Sequence, residues 1–122
     1  MVELGNINIL GSVYTITKKD YEEDPYFEKH MADGYCSFNT HQIVVCDMKT
    51  FDEWAEESDE AIANQLKATL RHEIVHAYLF ESGLAANTDN TQTGWALHEE
   101  MVDWIALQGV KIYNTWKEVD AV

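Results

Sequence analysis

The chain has 122 residues, enough for one domain with one modest hydrophobic core. Its 8 Lys and Arg against 22 Asp and Glu give a formal net charge of −14, so it lacks the basic surface that binds nucleic acids or anionic membranes. Apolar residues make up 46% of the chain, and no apolar run is long enough to span a bilayer. We therefore expect a single folded domain over residues 1–122, without nucleic-acid or membrane partners.

The N-terminus and the cysteine content favour a cytoplasmic protein. Residues 1–6 contain neither the basic region nor the apolar segment of a secretory signal peptide. The two cysteines, Cys36 and Cys46, form no CxxC motif, so reduced thiols are expected. Because they flank a predicted hairpin, a disulfide or a metal role for the pair stays open.

The first third of the chain predicts a strand region followed by a loop. Residues 7–17 are rich in β-branched side chains interrupted by Gly11, which predicts one bent strand or a tight hairpin. Residues 18–33 are charged and contain the only proline, Pro25, so they predict a surface loop with one helical turn near its end. His30 in this loop is expected to be a surface residue.

Two further strands are predicted at Tyr35–Phe38 and Gln42–Cys46. Residues 39–41 join them, and the asparagine at the start of this segment favours a turn. His41, at the tip of that turn, is expected to be exposed rather than catalytic.

The middle of the chain predicts helices. Thr50 and Glu53 fit a capping box and predict a short helix. Ser58, followed by two acids, predicts the start of a longer helix that runs to about Ser82, with Gly83 at its end. An apolar stripe at helical spacing should face the core, formed by Ile62, Leu66, Leu70, Ile74 and Ala77.

A polar loop over residues 84–93 should precede the last helix, with Thr91 or Thr93 as its cap. That helix is predicted from about Trp95 to Leu107. Its core candidates are Trp95, Val102, Ile105 and Ala106. Beyond Gly109 the sequence does not decide between helix and a return along the surface. Strands followed by helices predict an α+β fold.

The segment 70–77 carries the sequence His-Glu-x-x-His within a helical run. His72 and His76 are four residues apart, so both imidazoles lie on one helix face at the separation that binds a single metal ion. Glu73 lies beside them, where a carboxylate can take a proton from a water that the metal activates. The pattern predicts a zinc site, a general base and a hydrolytic reaction.

A catalytic zinc usually takes three protein ligands, and the second helix offers candidates for the third. Glu99 and Asp103 are four residues apart and share a face. If Glu99 binds the metal, Asp103 can accept the free N–H of a ligating histidine. Glu100 and His98 compete for this role, but Glu99 is favoured because only it has an acid four residues later.

HEIVH on one helix followed by HEEMVDW on the next resembles the HExxH and ExxxD motifs of the gluzincin metallopeptidases. The stretches INILGSVYTI, GYCSFNTHQIVV, LRHEIVHAYLFESGL and EEMVDWIA resemble the minigluzincins and the ImmA/IrrE-type metallopeptidases of phages and mobile elements. The resemblance implies a small antiparallel sheet of three or four strands packed on two main helices. It also implies one Zn²⁺, with the ligands His72, His76 and Glu99, the base Glu73, and Asp103 orienting a ligand.

The resemblance further implies a peptide or protein substrate that pairs with an edge strand, for which Gln42–Cys46 is the candidate. Larger gluzincins add a downstream histidine or tyrosine that stabilises the oxyanion. This sequence shows no such motif, and Tyr35, Tyr78 and His41 are possibilities for that role.

Three other interpretations stay open. The domain could bind metal without catalysis and act through a partner, as a regulator from a mobile element would. The site could use three histidines, with His98 in place of Glu99, as in SprT-like proteins. The HExxH motif could also be accidental, in which case the protein binds no stoichiometric zinc.

Overall fold

The computed structural model describes residues 1–85 and 94–122. The caps predicted at Thr91 and Thr93, and most of the predicted loop over 84–93, lie outside these residues. Within them, no helix combines the length and apolar character needed to cross a bilayer.

The N-terminal segment forms a β-hairpin of β1 (Val2–Ile9) and β2 (Ser12–Asp20). The turn uses Leu10 and Gly11, both with positive φ, so the tight-hairpin alternative for residues 7–17 is confirmed. β2 runs further than predicted, because its two lysines are paired with carboxylates: Lys18 with Asp47, and Lys19 with Asp24. The segment predicted as a loop from residue 18 therefore begins inside the sheet.

After β2 the chain makes a 3₁₀ turn and a short helix, α1 (Pro25–His30). It then forms a second hairpin of β3 (Gly34–Ser37) and β4 (Gln42–Asp47), as predicted. The strand order is β1-β2-β4-β3, and the predicted α+β class with a four-stranded sheet is confirmed. The sheet is mixed rather than antiparallel, because β2 and β4 pair in parallel. The segment 21–41 is long enough for the crossover that a parallel pair requires.

One face of the sheet packs against α2 (Asp59–Glu81), whose N-terminus is capped by Ser58 as predicted. The predicted apolar stripe of α2 lies in the core: four of its members pack in one cluster with the sheet, and Ile62 packs in the cluster on the other face. Cys36 packs in the first cluster and Cys46 in the second, and both thiols are free. The reduced thiols expected from the sequence are therefore observed, and the alternative of a disulfide between them is wrong.

The short helix predicted at Thr50 is absent: the described residues 48–57 form a 3₁₀ turn (Met48–Thr50) and further turns. The Thr50 hydroxyl donates to the Asp47 carbonyl (2.6 Å) and accepts from the Tyr21 backbone N–H (2.8 Å), so it is engaged elsewhere than in a helix cap.

The last helix, α3 (Glu99–Glu118), begins later and ends later than predicted, and Gly109 lies inside it. Val102 and Ala106 are buried, as expected for core residues, and Ile105 is partly buried. Trp95 lies in a 3₁₀ turn before the helix and is 61% exposed, so its assignment to the core is wrong. A third apolar cluster joins the two long helices through Leu79, Ala85, Ala96 and Val102.

Gly34 allows β3 to lie directly against α2. A Cβ at this position would lie 2.8 Å from Thr69 Cγ2 on α2 and 2.8 Å from the Val44 carbonyl oxygen on β4. Such separations require one of the neighbours to move, and the backbone oxygen cannot move cheaply. The glycine therefore sets the closest approach between the edge of the sheet and α2.

We expect Gly34→Ala to lower the free energy of unfolding by about 1–3 kcal/mol through overpacking. Gly109→Ala is the matched control: a Cβ there meets nothing within 4 Å, and alanine in a helix interior should gain about 0.5–1 kcal/mol. Urea denaturation of the three proteins measures the difference. Equal stability of the two variants would show that the approach at Gly34 is not tight.

Asp24 fixes α1 to the sheet. Its buried carboxylate accepts hydrogen bonds from the Tyr35 hydroxyl (2.7 Å), the Lys19 ammonium (3.0 Å) and the Tyr26 backbone N–H (3.1 Å). Burial alone would raise the pKa of Asp24, but these hydrogen bonds favour the charged form and hold its pKa below the ordinary value.

We expect Asp24→Asn to cost about 1–3 kcal/mol of unfolding free energy at pH 7, because a charged acceptor is lost. The pKa is lower in the folded state than in the unfolded state, so this contribution is present above the unfolded pKa and is lost as the pH falls through the folded pKa. Urea denaturation at pH 7 and at about pH 3 measures this effect. The difference in unfolding free energy between wild type and Asp24→Asn should be smaller at about pH 3, because an unfolded Asp is about half protonated near pH 3.9. Asp52→Asn, at an exposed position, is the control. A difference that does not change with pH would contradict the role of the charge.

Candidate active site

A cleft of about 970 Å³ lies between α2, the edge strand β3, α1 and the start of α3. β3 and α2 run along it in the same direction. The Asp33 carboxylate accepts from the Gln65 amide (2.7 Å) at one end, and the rings of Phe38 and Phe80 stack at 4.5 Å at the other. Both histidines of the HExxH motif line this cleft.

His72 and His76 point their rings at one spot in the cleft. Their Nε2 atoms are 3.1 Å apart, and the rings meet edge to face with centroids 4.8 Å apart. Both side chains are largely buried, with 19% and 12% of their surface exposed. One turn of α2 separates them, so the helix itself produces this convergence.

Glu99, in the first turn of α3, reaches both imidazoles. Its Oε2 lies 2.8 Å from His72 Nε2, and its Oε1 lies 3.2 Å from His76 Nε2. One turn later, Asp103 Oδ1 lies 2.6 Å from His72 Nδ1. Both acids line the cleft, although 67% of the Glu99 side chain and 62% of the Asp103 side chain are exposed. The competing candidates Glu100 and His98 are also exposed and are not among the described lining residues.

Residues of the two helices outside the cleft hold this arrangement in register. The Arg71 Nε–H donates to the Ala106 carbonyl oxygen (3.1 Å), and Val102 is fully buried in the cluster between the helices. Because Arg71 contacts a later residue of α3 than His72 does, the two helices are antiparallel. This direction brings the pair on α2 and the pair on α3 together.

Glu73 is the most buried acid of the cleft, with 8% of its side chain exposed, and its Oε1 lies 4.0 Å from His72 Nε2. Burial, with smaller contributions from the charges of Glu99 and Asp103, raises the pKa of Glu73 to about 7. A carboxyl with this pKa can both accept and return a proton near neutral pH, as a general base requires.

The pKa values of the two histidines are shifted in opposite directions. Burial lowers the pKa of His72, but the hydrogen bond to Asp103 and the surrounding carboxylates outweigh it, so the net pKa is raised. For His76, burial and the neighbouring His72 lower the pKa. His76 is therefore the readier of the two to be a neutral imidazole, which is the form that binds metals.

The donor atoms match the size of a zinc site. Nitrogen and oxygen atoms of His72, His76 and Glu99 lie 2.8–3.4 Å from one another. Ligands about 2.0–2.1 Å from a tetrahedral Zn²⁺ are separated by about 3.3 Å. The His72–Glu73–His76 group also satisfies the spacing for a metal ion, with ligand atoms within 4.8 Å. Two imidazoles and one carboxylate beside an open cleft are a donor set that a catalytic zinc can use.

The candidates that the sequence offered for oxyanion stabilisation do not lie freely in the cleft. Tyr78 is exposed and lies outside the described lining, and His41 lies 3.5 Å from Glu81 at the end of α2. The Tyr35 ring lines the cleft, but its hydroxyl is bound to Asp24.

The prediction from the sequence differs from the structure at two features of the cleft. Gln42–Cys46 cannot be the edge strand, because β4 lies between β2 and β3; the edge beside α2 is β3, whose residues line the cleft. Tyr26 and His30 also line it. His30 is exposed, as expected, and both residues lie on α1, where the sequence predicted a surface loop with one helical turn. Their spacing of four residues after a Pro-containing helix start is the signal that could have placed them on one helix face.

Comparison with known proteins assigns the family. Neither a curated protein nor a solved structure matches the chain. Residues 35–121, more than half of the chain, match the family described as "Peptidase of plants and bacteria" (BSP). The matched segment includes α2 and α3, the helices that carry His72, His76 and Glu99. The chain therefore belongs to the BSP family of peptidases.

Proposed function

We propose that this peptidase is a zinc-dependent metallopeptidase of the gluzincin type, reduced to a minimal domain. The ligands are His72, His76 and Glu99, and the general base is Glu73. The observation that carries the proposal is the convergence of three donor atoms, from two helices, at separations of 2.8–3.4 Å on the wall of a cleft. Asp103 orients His72 by accepting the proton on Nδ1, which leaves Nε2 free to bind the metal.

Zinc at this position supplies Lewis acidity, which lowers the pKa of a water in the cleft and polarises the substrate carbonyl. The Glu73 carboxylate takes the proton of the attacking water as the C–O bond forms. Glu73 then passes that proton to the amine nitrogen as the C–N bond breaks. Its buried position beside His72 places the carboxylate at the proposed metal site, where it can make both transfers.

The substrate is proposed to be an extended peptide bound beside β3. This strand has β4 on one side and the cleft on the other, so its outer edge offers unpaired backbone groups for strand addition. A peptide aligned along β3 runs past His72 and Glu73 between the sheet and the start of α3. The close approach of β3 to α2 at Gly34 brings such a peptide close to the ligands.

The first test is metal content. After dialysis against a weak chelator and readdition of zinc, wild-type protein should retain about one zinc per chain, the count that a single three-ligand site predicts. Glu99→Ala should weaken zinc binding by more than about 100-fold, since loss of an outer hydrogen-bonding carboxylate alone costs about 10–100-fold. Inductively coupled plasma mass spectrometry gives the zinc-to-protein ratio.

Glu100→Ala is the matched control for Glu99→Ala, since it makes the same change at the adjacent exposed position of α3. It should retain zinc. Retention in Glu99→Ala with loss in His98→Ala would instead support a three-histidine site. A folded wild type that retains no zinc would overturn the metallopeptidase proposal.

The second test is Glu73→Gln, which keeps the shape of the side chain but removes its basicity. We expect zinc content to be unchanged and hydrolysis of peptides to fall by about 10²–10⁴-fold. Cleavage of a mixed peptide library, followed by mass spectrometry, provides the measurement, with Glu60→Gln at an exposed position of α2 as the control. Full cleavage by Glu73→Gln would remove Glu73 from the mechanism. A biological effect that survives this substitution would favour a metal-binding regulator instead.

A further inference from the structure

The cleft contains a tyrosine whose hydroxyl makes no hydrogen bond to any residue that the structure describes. Of the six tyrosines in the chain, Tyr26 and Tyr35 line the cleft. The Tyr35 hydroxyl donates to Asp24 at 2.7 Å. Among residues 1–85 and 94–122, the Tyr26 hydroxyl makes no hydrogen bond, although its backbone N–H is held by the same Asp24 carboxylate. A donor is thus free on the part of the cleft wall that α1 forms.

The ring of Tyr26 is held in place from two sides. It stacks on His30, one turn later in α1, with centroids 4.1 Å apart, and it packs against Tyr35 with centroids 4.3 Å apart. The buried carboxylate of Asp24 caps α1, which carries His30, and binds the Tyr35 hydroxyl. One side chain thus positions both rings that contact Tyr26. A donor fixed before the substrate arrives costs little reorganisation during the reaction.

The surroundings of Tyr26 favour the protonated form of its phenol. Burial, and then the carboxylates of Glu73 and Glu99, raise the pKa of its phenol above the ordinary value. The phenol therefore keeps its proton at neutral and mildly alkaline pH and can act as a hydrogen-bond donor. Among the described residues that line the cleft there is no Lys or Arg, so charge that develops on a substrate oxygen must be met by the metal and by neutral donors.

Peptide hydrolysis needs such a donor. Negative charge develops on the carbonyl oxygen as water attacks, and a donor fixed near that oxygen stabilises the transition state more than the bound substrate. We propose that Tyr26 is a catalytic residue whose hydroxyl donates a hydrogen bond to the carbonyl oxygen of the scissile peptide bond as that oxygen gains negative charge. This inference rests on the proposed function. It assigns the oxyanion role to a residue that precedes the HExxH motif and the segment matched by the family.

The experiment compares wild type, Tyr26→Phe and Tyr78→Phe, each loaded with zinc, on the peptide of the library that wild type cleaves best. Tyr26→Phe should lower kcat on the order of 100-fold with little change in KM, because the hydrogen bond is made only in the transition state. Tyr78→Phe removes a hydroxyl on α2 outside the described cleft lining, and it should leave kcat unchanged. Zinc content should be the same in all three proteins.

A second measurement does not depend on turnover. A phosphinic-acid pseudopeptide with the sequence of the cleaved peptide presents a tetrahedral anionic group in place of the scissile bond. Isothermal titration calorimetry should show weaker binding of this analogue to Tyr26→Phe by about the factor lost in kcat/KM, with the cleaved product peptides bound equally well.

The outcomes separate the two proposals. Wild type that binds zinc and cleaves peptides, with an unchanged kcat in Tyr26→Phe, overturns the role of Tyr26 and leaves the metallopeptidase proposal standing. Equal analogue affinity in wild type and Tyr26→Phe also overturns it, as does a loss of kcat in Tyr78→Phe. Zinc-loaded wild type that cleaves no peptide of the library overturns both proposals.

Discussion

The site depends on the antiparallel contact between α2 and α3. Each helix presents two polar side chains four residues apart, and the pairs meet: His72 with Asp103, and both histidines with Glu99. A shift of α3 by one residue would turn its face by about 100° and remove both contacts at once. The burial of Val102, and the hydrogen bond from Arg71 to the opposite helix, prevent this shift. Apolar packing behind the site thus determines which donors converge in front of it.

The same contact concentrates charge. Three carboxylates and two imidazoles share a small volume, and Glu73 is buried there. Burial, with a smaller contribution from the neighbouring carboxylates, raises the pKa of Glu73. The hydrogen bond to Asp103 and the carboxylates outweigh burial and raise the pKa of His72. A divalent cation among these donors would take the place of the protons, so metal binding by such a site should release protons. The donor arrangement and its electrostatics therefore favour the same occupant.

The helical part of the site was predictable from the sequence, because spacing within a helix fixes side-chain direction. His72, His76, Glu99 and Asp103 follow this rule, and so does the buried stripe of α2. The sheet was less predictable, since the parallel pairing of β2 with β4 depends on where the crossover places the chain. The cap predicted at Thr50 failed because its hydroxyl binds the backbone of Tyr21, which is distant in sequence. Trp95 is exposed because it lies in a 3₁₀ turn before α3 and not on the buried face of that helix. Tyr26 was missed because the 6 residues of α1 offer one pair at four-residue spacing and no longer periodic pattern.

The parallel pairing of β2 with β4 also bears on how the chain folds. Both hairpins, β1–β2 and β3–β4, join neighbouring strands through short turns, so each can form from local contacts. Their union requires β2 to find β4 across the crossover that contains α1, which is the step of highest loop-closure cost in the sheet. This step also places β3, with α1 before it in the chain, at the edge of the sheet beside α2. The wall of the cleft is therefore expected to form late in folding, after the two hairpins that it joins.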